Sequence, residues 1–291
     1  LRTSAPIHKK KKELTTIHIT DLIFLVYIKK SLLAFPLLKP KGILNGITTL
    51  FTFGDSYSTQ YLNLATLTYP NPNNTSATNG YNWVHYFTTS NNMTDWDLAY
   101  NSAPIDNSIV KQDPNVIDVT KQITELFLDY FLKKNQVYDS DKTLYAIWVD
   151  VDTLITYYHN VINRLSEHNA KKIILINVPP LEKSPKYLNN KSMENLLYEF
   201  NNKRKLMVQM NFLNSKKIEL IDAYSIFDKI ITNPNDYGFE NVNEYCNDWK
   251  NPEGNNCLPI DKYFWLNDLH PTTKVHSIFA NELTSILSNR L

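Results

Sequence analysis

Glycine is scarce in this 291-residue sequence, with six residues against 14 prolines. No glycine-rich phosphate loop occurs, so an unrelated nucleotide-binding α/β protein finds little support. Cysteine is scarcer still. Cys246 and Cys257 stand 11 apart in a loop rich in Asn, Pro and Gly, a spacing that suits neither a zinc site nor a Cys-x-x-Cys redox pair. In a secreted protein they read as one loop-closing disulfide, in a cytosolic one as two free thiols. An excess of either charge is also missing. Lys and Arg number 30 against 29 Asp and Glu, for a net charge of +1, so no global field draws the chain to nucleic acid or membrane. The apolar runs Leu22–Ile28 and Leu32–Leu38 are each too short to span a bilayer. There is no metal-ligand constellation, hence no metal or cofactor is expected. No Gly-x-Ser-x-Gly elbow, internal repeat or heptad run occurs either.

What is present is an ordinary globular composition, 43% hydrophobic and 20% charged, in a length that suits one large domain or two small ones. Sequons stand at Asn73, Asn74, Asn92 and Asn190. They are candidate glycosylation sites, although an Asn-rich chain also generates such triplets by chance. Near the N-terminus, Lys9–Lys12 and the apolar run after it give the outline of a signal peptide. Asp21 and the long polar lead-in fit a disordered extension or a misplaced gene start instead. Residues 1–43 are therefore expected to form an extension outside the core, and 44–291 the folded domain.

From residue 47 strand-like and helix-like segments alternate. Ile47–Phe53, Leu144–Val151, Lys172–Val178 and Ile218–Ala223 are short apolar runs bounded by turn residues, as buried parallel strands are. Thr153–His168, Met193–Leu213 and Thr272–Leu291 carry apolar residues at helical spacing. Pro271 precedes the last of these, where its missing N–H costs little. The alternation predicts right-handed βαβ units and an α/β/α sandwich with a central parallel sheet, flavodoxin-like in layout. In such a sheet the ligand site lies at the carboxyl ends of the strands.

Two motifs fall there. Gly54-Asp55-Ser56 follows the first strand. A Ser on a tight strand-to-helix turn presents its hydroxyl beside free backbone N–H groups, although Asp55 or Ser56 could equally be a helix cap. Asn267-Asp268-Leu269-His270-Pro271 precedes the last helix, where His270 can lean over the sheet and take a proton from a hydroxyl. An isolated His of this kind is more often a surface residue. Together, in this order, the motifs resemble the GDSL/SGNH hydrolases from about Leu44 to the C-terminus, most of all fungal acetylesterases akin to carbohydrate esterase family sixteen. Gly80-Tyr81-Asn82-Trp83, Asp97-Leu98-Ala99-Tyr100, Asn177-Val178-Pro179-Pro180, Phe264-Trp265 and Val275-His276 add to the likeness.

The resemblance implies an SGNH fold, Ser56 as nucleophile and oxyanion donor, and His270 as general base. It also marks three departures. Ser102 stands where the family has an oxyanion-hole Gly, and its backbone donor survives the change. Asp152 replaces the Asn whose amide donates to the oxyanion, and an ionised carboxylate lacks that donor. Asn267 replaces the Asp that orients the His. An Asn there stabilises the imidazolium poorly and is expected to favour the wrong tautomer, while a Ser–His dyad or Asp268 moved into place would retain part of the rate. The resemblance implies a serine esterase that removes short acyl groups from a small ester or an acylated carbohydrate, and the chain is expected to be secreted and monomeric. The departures suggest the alternative of an impaired relative that binds carbohydrate or acyl ligand without turnover.

Overall fold

In a computed structural model of the chain, the residues described are 42–71, 77–110, 113–134, 139–149, 155–212, 217–251 and 256–289. Residues 41–291 form one compact unit. The expected extension lies outside the described residues except for its last two positions, and these correct the boundary. Ile43 is buried, and Gly42 lies so close to the Ser288 carbonyl that a Cβ would meet it at 2.2 Å, so both belong to the packed unit.

Five parallel strands run in the order β2-β1-β3-β4-β5. They are β1 (Thr49–Gly54), β2 (Thr94–Asp97), β3 (Thr143–Trp148), β4 (Lys172–Ile176) and β5 (Lys217–Ile221). The helices are α1 (Trp83–Ser90), α2 (Val119–Lys121, continuing as the π-helical Gln122–Leu132), α3 (Ile155–Glu167), α4 (Lys191–Phe212), α5 (Ala223–Thr232) and α6 (Thr273–Asn289). Helix α1 packs on α6 and α6 on α5, while α3 packs on α4 and on the π-helical stretch. These two groups cover opposite faces of the sheet, giving the SGNH sandwich. The chain steps from β1 outward to β2 and then back across β1 to β3. Right-handed crossovers in opposite directions put their helices on opposite faces and leave a crevice at the carboxyl ends of β1 and β3.

The strands expected at 47–53, 144–151, 172–178 and 218–223 all form, with ends shifted by a few residues. β2 and α1 carry no apolar periodicity that announces them. β2 reads Thr-Asp-Trp-Asp because it is an edge strand. Its open side is covered by Tyr69, whose hydroxyl donates to the Asp95 carbonyl at 3.1 Å and accepts from the Asp97 N–H at 2.8 Å. Aromatic rings fill both layers. Phe51, Phe127, Phe131 and Tyr145 interlock on one face, and Trp83, Trp148 and Phe279 on the other.

Two buried polar side chains tie helices to strand ends. Gln122 works as a surrogate backbone for the end of β1. Its Oε1 accepts from Gly54 N–H at 2.8 Å, and its Nε2 donates to the Gly54 carbonyl at 2.8 Å and to the Ile117 carbonyl at 2.9 Å. Arg204 of α4 donates to the carbonyls of Val149 and Ile176, at 2.7 and 2.6 Å, where β3 and β4 end. Cys246 and Cys257 form a disulfide within the described residues. Of the sequons, Asn92 and Asn190 are exposed, while Asn73 and Asn74 lie outside the described residues.

Replacing Gln122 by Leu strands the Gly54 N–H in a site from which water is excluded. A buried donor left without an acceptor costs about 1–3 kcal/mol. Urea unfolding of Gln122→Leu is expected to show a loss of that size. An unchanged midpoint would mean that Gly54 finds another partner.

Candidate active site

The carboxyl end of β1 turns sharply because Gly54 has φ +150° and lies against β3, where an added Cβ would come within 1.9 Å of the Trp148 carbonyl oxygen. Only glycine fits that approach. The next carboxyl, Asp55, accepts from Tyr57 N–H at 3.0 Å, and its carbonyl accepts from Ser58 and Thr59 N–H. Ser56 stands at the top of this turn. The Gly-x-Asn-Trp segment is the clamp that holds it. Asn82 caps α1 through its Oδ1 while its Nδ2 donates to the Ser58 carbonyl, and Trp83 Nε1 donates to Ser58 Oγ at 3.1 Å.

His270 reaches Ser56 from the other side of the crevice. Its Nε2 lies 2.8 Å from Ser56 Oγ. The two loops are tied by Tyr57, whose buried hydroxyl donates to the Leu269 carbonyl at 2.8 Å and whose ring packs 5.7 Å from the imidazole. Trp265 and Pro271 form a β-bridge that closes the His loop, and Lys186 N–H donates to the Asp268 carbonyl at 2.9 Å.

The tautomer is decided by Asn267. Its Oδ1 accepts from the backbone N–H groups of Leu269 and His270, at 2.9 and 2.8 Å, so the side of the amide facing this loop is the oxygen. The third group on that oxygen is His270 Nδ1, at 3.1 Å. It must therefore carry the proton, which leaves the Nε2 lone pair for the Ser56 hydroxyl. The expectation that Asn267 would favour the wrong tautomer is thus corrected: two backbone donors fix the amide orientation that the right tautomer needs. What the Asn lacks is charge. Asp268 does not supply it by moving into place, because its side chain is exposed and Asn267 occupies the position on Nδ1. Burial pushes the His270 imidazole down to about 4, with the Asp268 carboxylate acting in the opposite sense and Lys186 lowering it further.

Two backbone donors at the crevice are uncommitted. Neither Ser56 N–H nor Ser102 N–H has an internal acceptor among the described residues. Tyr100 N–H donates to the Gly54 carbonyl at 3.0 Å, which brings the Asn101-Ser102 turn beside Ser56. Ser102 is exposed and sits at φ +61°, the left-handed region where glycine is unstrained. Asp152, the remaining expected oxyanion residue, lies outside the described residues. The arrangement can take a proton from Ser56 and offer two N–H groups to a developing oxyanion. Among the described residues no cluster of three His, Cys, Asp or Glu side chains could hold a metal ion.

Residues 50–283 match the family described as GDSL-like lipase/acylhydrolase. The chain belongs to that family. Among similar proteins, an acetylesterase of Thermothelomyces thermophilus is 25% identical over 79% of this chain and 85% of its own length. An acetylesterase of Hypocrea jecorina is 22% identical over 83% and 89%. An acetyl xylan esterase of known structure overlaps with a TM-score of 0.47 at 13% identity, over 82% of this chain and 99% of that one. Gln122 and Tyr57 had no site role in the sequence reading. The only sequence signal for Gln122 is an uncharged amide on the apolar side of a helix.

The His270 geometry fixes a titration. Its folded-state value of about 4 lies below the ordinary 6.5, so between these the native state binds fewer protons than the unfolded chain. This contribution to stability is present above pH 6.5 and is lost as pH falls through 6.5 to 4. NMR of the imidazole should place the midpoint near 4, and Asn267→Asp should raise it. A wild-type midpoint at 6.5 would contradict burial as the dominant influence on this imidazole.

Proposed function

We propose that this member of the GDSL family is a serine esterase whose nucleophile is Ser56 and whose general base is His270. The observation that carries the reading is the chain Asn267 Oδ1, His270 Nδ1, His270 Nε2 and Ser56 Oγ, with spacings of 3.1 and 2.8 Å. In the first step Ser56 Oγ attacks the ester carbonyl while its proton passes to Nε2. The oxyanion is held by the N–H groups of Ser56 and Ser102, while Asp152, at the family's third position, offers it a donor only when protonated. The imidazolium then protonates the departing alcohol, and water repeats the sequence on the acyl-enzyme. His270 is expected to stay neutral and active as a base down to about pH 4, its folded-state value.

Acetylated carbohydrate is the substrate class we propose, supported by the acetylesterases among the relatives. The disulfide and the exposed sequons at Asn92 and Asn190 support secretion. Among the described residues no helix is long and apolar enough to cross a membrane. The packed unit, which includes Gly42 and Ile43, is taken as the catalytic body, and we propose that it acts as a monomer. The second reading is a carbohydrate or acyl binder with little turnover. It is favoured by the neutral Asn267, which hydrogen-bonds the imidazolium without neutralising it.

Hydrolysis of p-nitrophenyl acetate and acetate release from acetylated xylooligosaccharide test the reading, with a fluorophosphonate label expected on Ser56. Ser56→Ala should abolish both activities. Asn267→Asp should raise turnover. In full triads the reverse exchange costs on the order of 10⁴, attributed to a wrong tautomer. Here the tautomer is already right, and only charge is added, so about tenfold is expected from the stronger charge-assisted bond. A folded chain that neither labels nor turns over would leave the binder.

A further inference from the structure

A groove of about 790 Å³ runs between α4 and the outer edge of β5, away from the Ser56–His270 pair. Its helical wall carries Asn195, Tyr198, Asn202, Lys205 and Gln209. These recur at alternating spacings of three and four, so they form one stripe about 21 Å long on a single side of the helix. All five are exposed, and none of their side chains makes a hydrogen bond or ion pair among the described residues. The facing wall is β5, with Ile218 and Leu220, and beyond it Asp222 and Tyr224.

We propose that this groove binds a neutral, hydroxyl-rich polysaccharide chain. Three amides along the stripe offer paired donors and acceptors, the pattern that vicinal hydroxyls satisfy, and Tyr198 offers an aromatic face that is 72% exposed. Leu220, part-exposed on the facing wall, gives an apolar contact for the C–H face of a sugar ring. The charge of the lining turns away anionic partners, because Glu194, Glu219 and Asp222 outnumber the single cation Lys205. A peptide adding as a sixth strand to β5 would want apolar pockets for alternate side chains, and the stripe is polar throughout. The groove reaches the carboxyl ends of β4 and β5. Asn177 and Asp222, at its upper end, follow β4 and β5, and the loop after β4 reaches the His270 segment through the bond from Lys186 N–H to the Asp268 carbonyl. The choice of a xylan-type probe rests on the esterase reading; the groove itself does not.

Calorimetric titration of xylohexaose into the Ser56→Ala protein, which cannot turn over, tests the proposal. Binding is expected, and Tyr198→Ala with Asn202→Ala on that background should weaken it about tenfold or more, the loss of one anchoring contact. Tyr198→Phe should retain most of the affinity, and circular dichroism should show the helix intact. No binding by the Ser56→Ala protein overturns the proposal, and so does binding of an extended peptide in place of the sugar. An affinity that survives the double substitution also overturns it, since the sugar then sits elsewhere. If the wild-type chain hydrolyses no ester at all, the esterase reading fails while these titrations still decide the groove.

Discussion

Between Gly54 and the carbonyl of Trp148 there is no room for a side chain, and the rest of the site depends on that closeness. Because β1 ends pressed against β3, the chain can leave the sheet in a sharp turn and lift Ser56 above both strands. The Asp55 N–H then falls on the same Trp148 carbonyl, at 3.2 Å, which fixes the turn's first residue. Gln122 satisfies the Gly54 N–H and shares its carbonyl with Tyr100, so the outer loop bearing Ser102 is anchored at the same point. Steric exclusion at one glycine thus sets where the hydroxyl, the neighbouring amides and the edge loop stand.

Across the crevice, the arrangement is held by backbone donors more than by charge. Asn267 keeps three hydrogen bonds on one oxygen, two of them from the peptide groups of its own loop. That loop geometry would orient a carboxylate equally well, and for this reason the exchange to Asn preserves the direction of the imidazole. Orientation and charge stabilisation, usually supplied by one residue, are here separable. The buried imidazole keeps its lone pair free at neutral pH, but the cation formed when it accepts a proton has only a distant, exposed carboxylate at Asp268.

Much of the layout was legible in the sequence because buried parallel strands write themselves as unbroken apolar runs. Leu144–Val149 and Ile173–Val178 are buried on both faces and could be little else. β2 was not legible, since an edge strand of four residues with two Asp needs no apolar pattern. Ser56 and His270 were readable through ordered motifs. The tautomer was not, because it depends on which side of an amide the Leu269 and His270 peptide groups face. Gln122 and Arg204 escaped for a related reason. Each is a polar residue on the inner side of a helix, and its value lies in a strand end many positions away that periodicity cannot name. The groove beside β5 was likewise hidden, since its stripe reads in one dimension as an ordinary solvated helix face.

The Ser56–His270 contact joins residues 214 positions apart, and the bridge that closes the His loop lies only a few residues ahead of α6. A ribosome therefore delivers the serine long before its base. Throughout most of translation the hydroxyl is an unassisted alcohol, inert toward any ester it meets. On the proposed reading, the hydroxyl gains its base only once the segment from Trp265 onward has been made and Tyr57 can meet Leu269. On that reading, the order of synthesis keeps the growing chain harmless until the scaffold around it is complete.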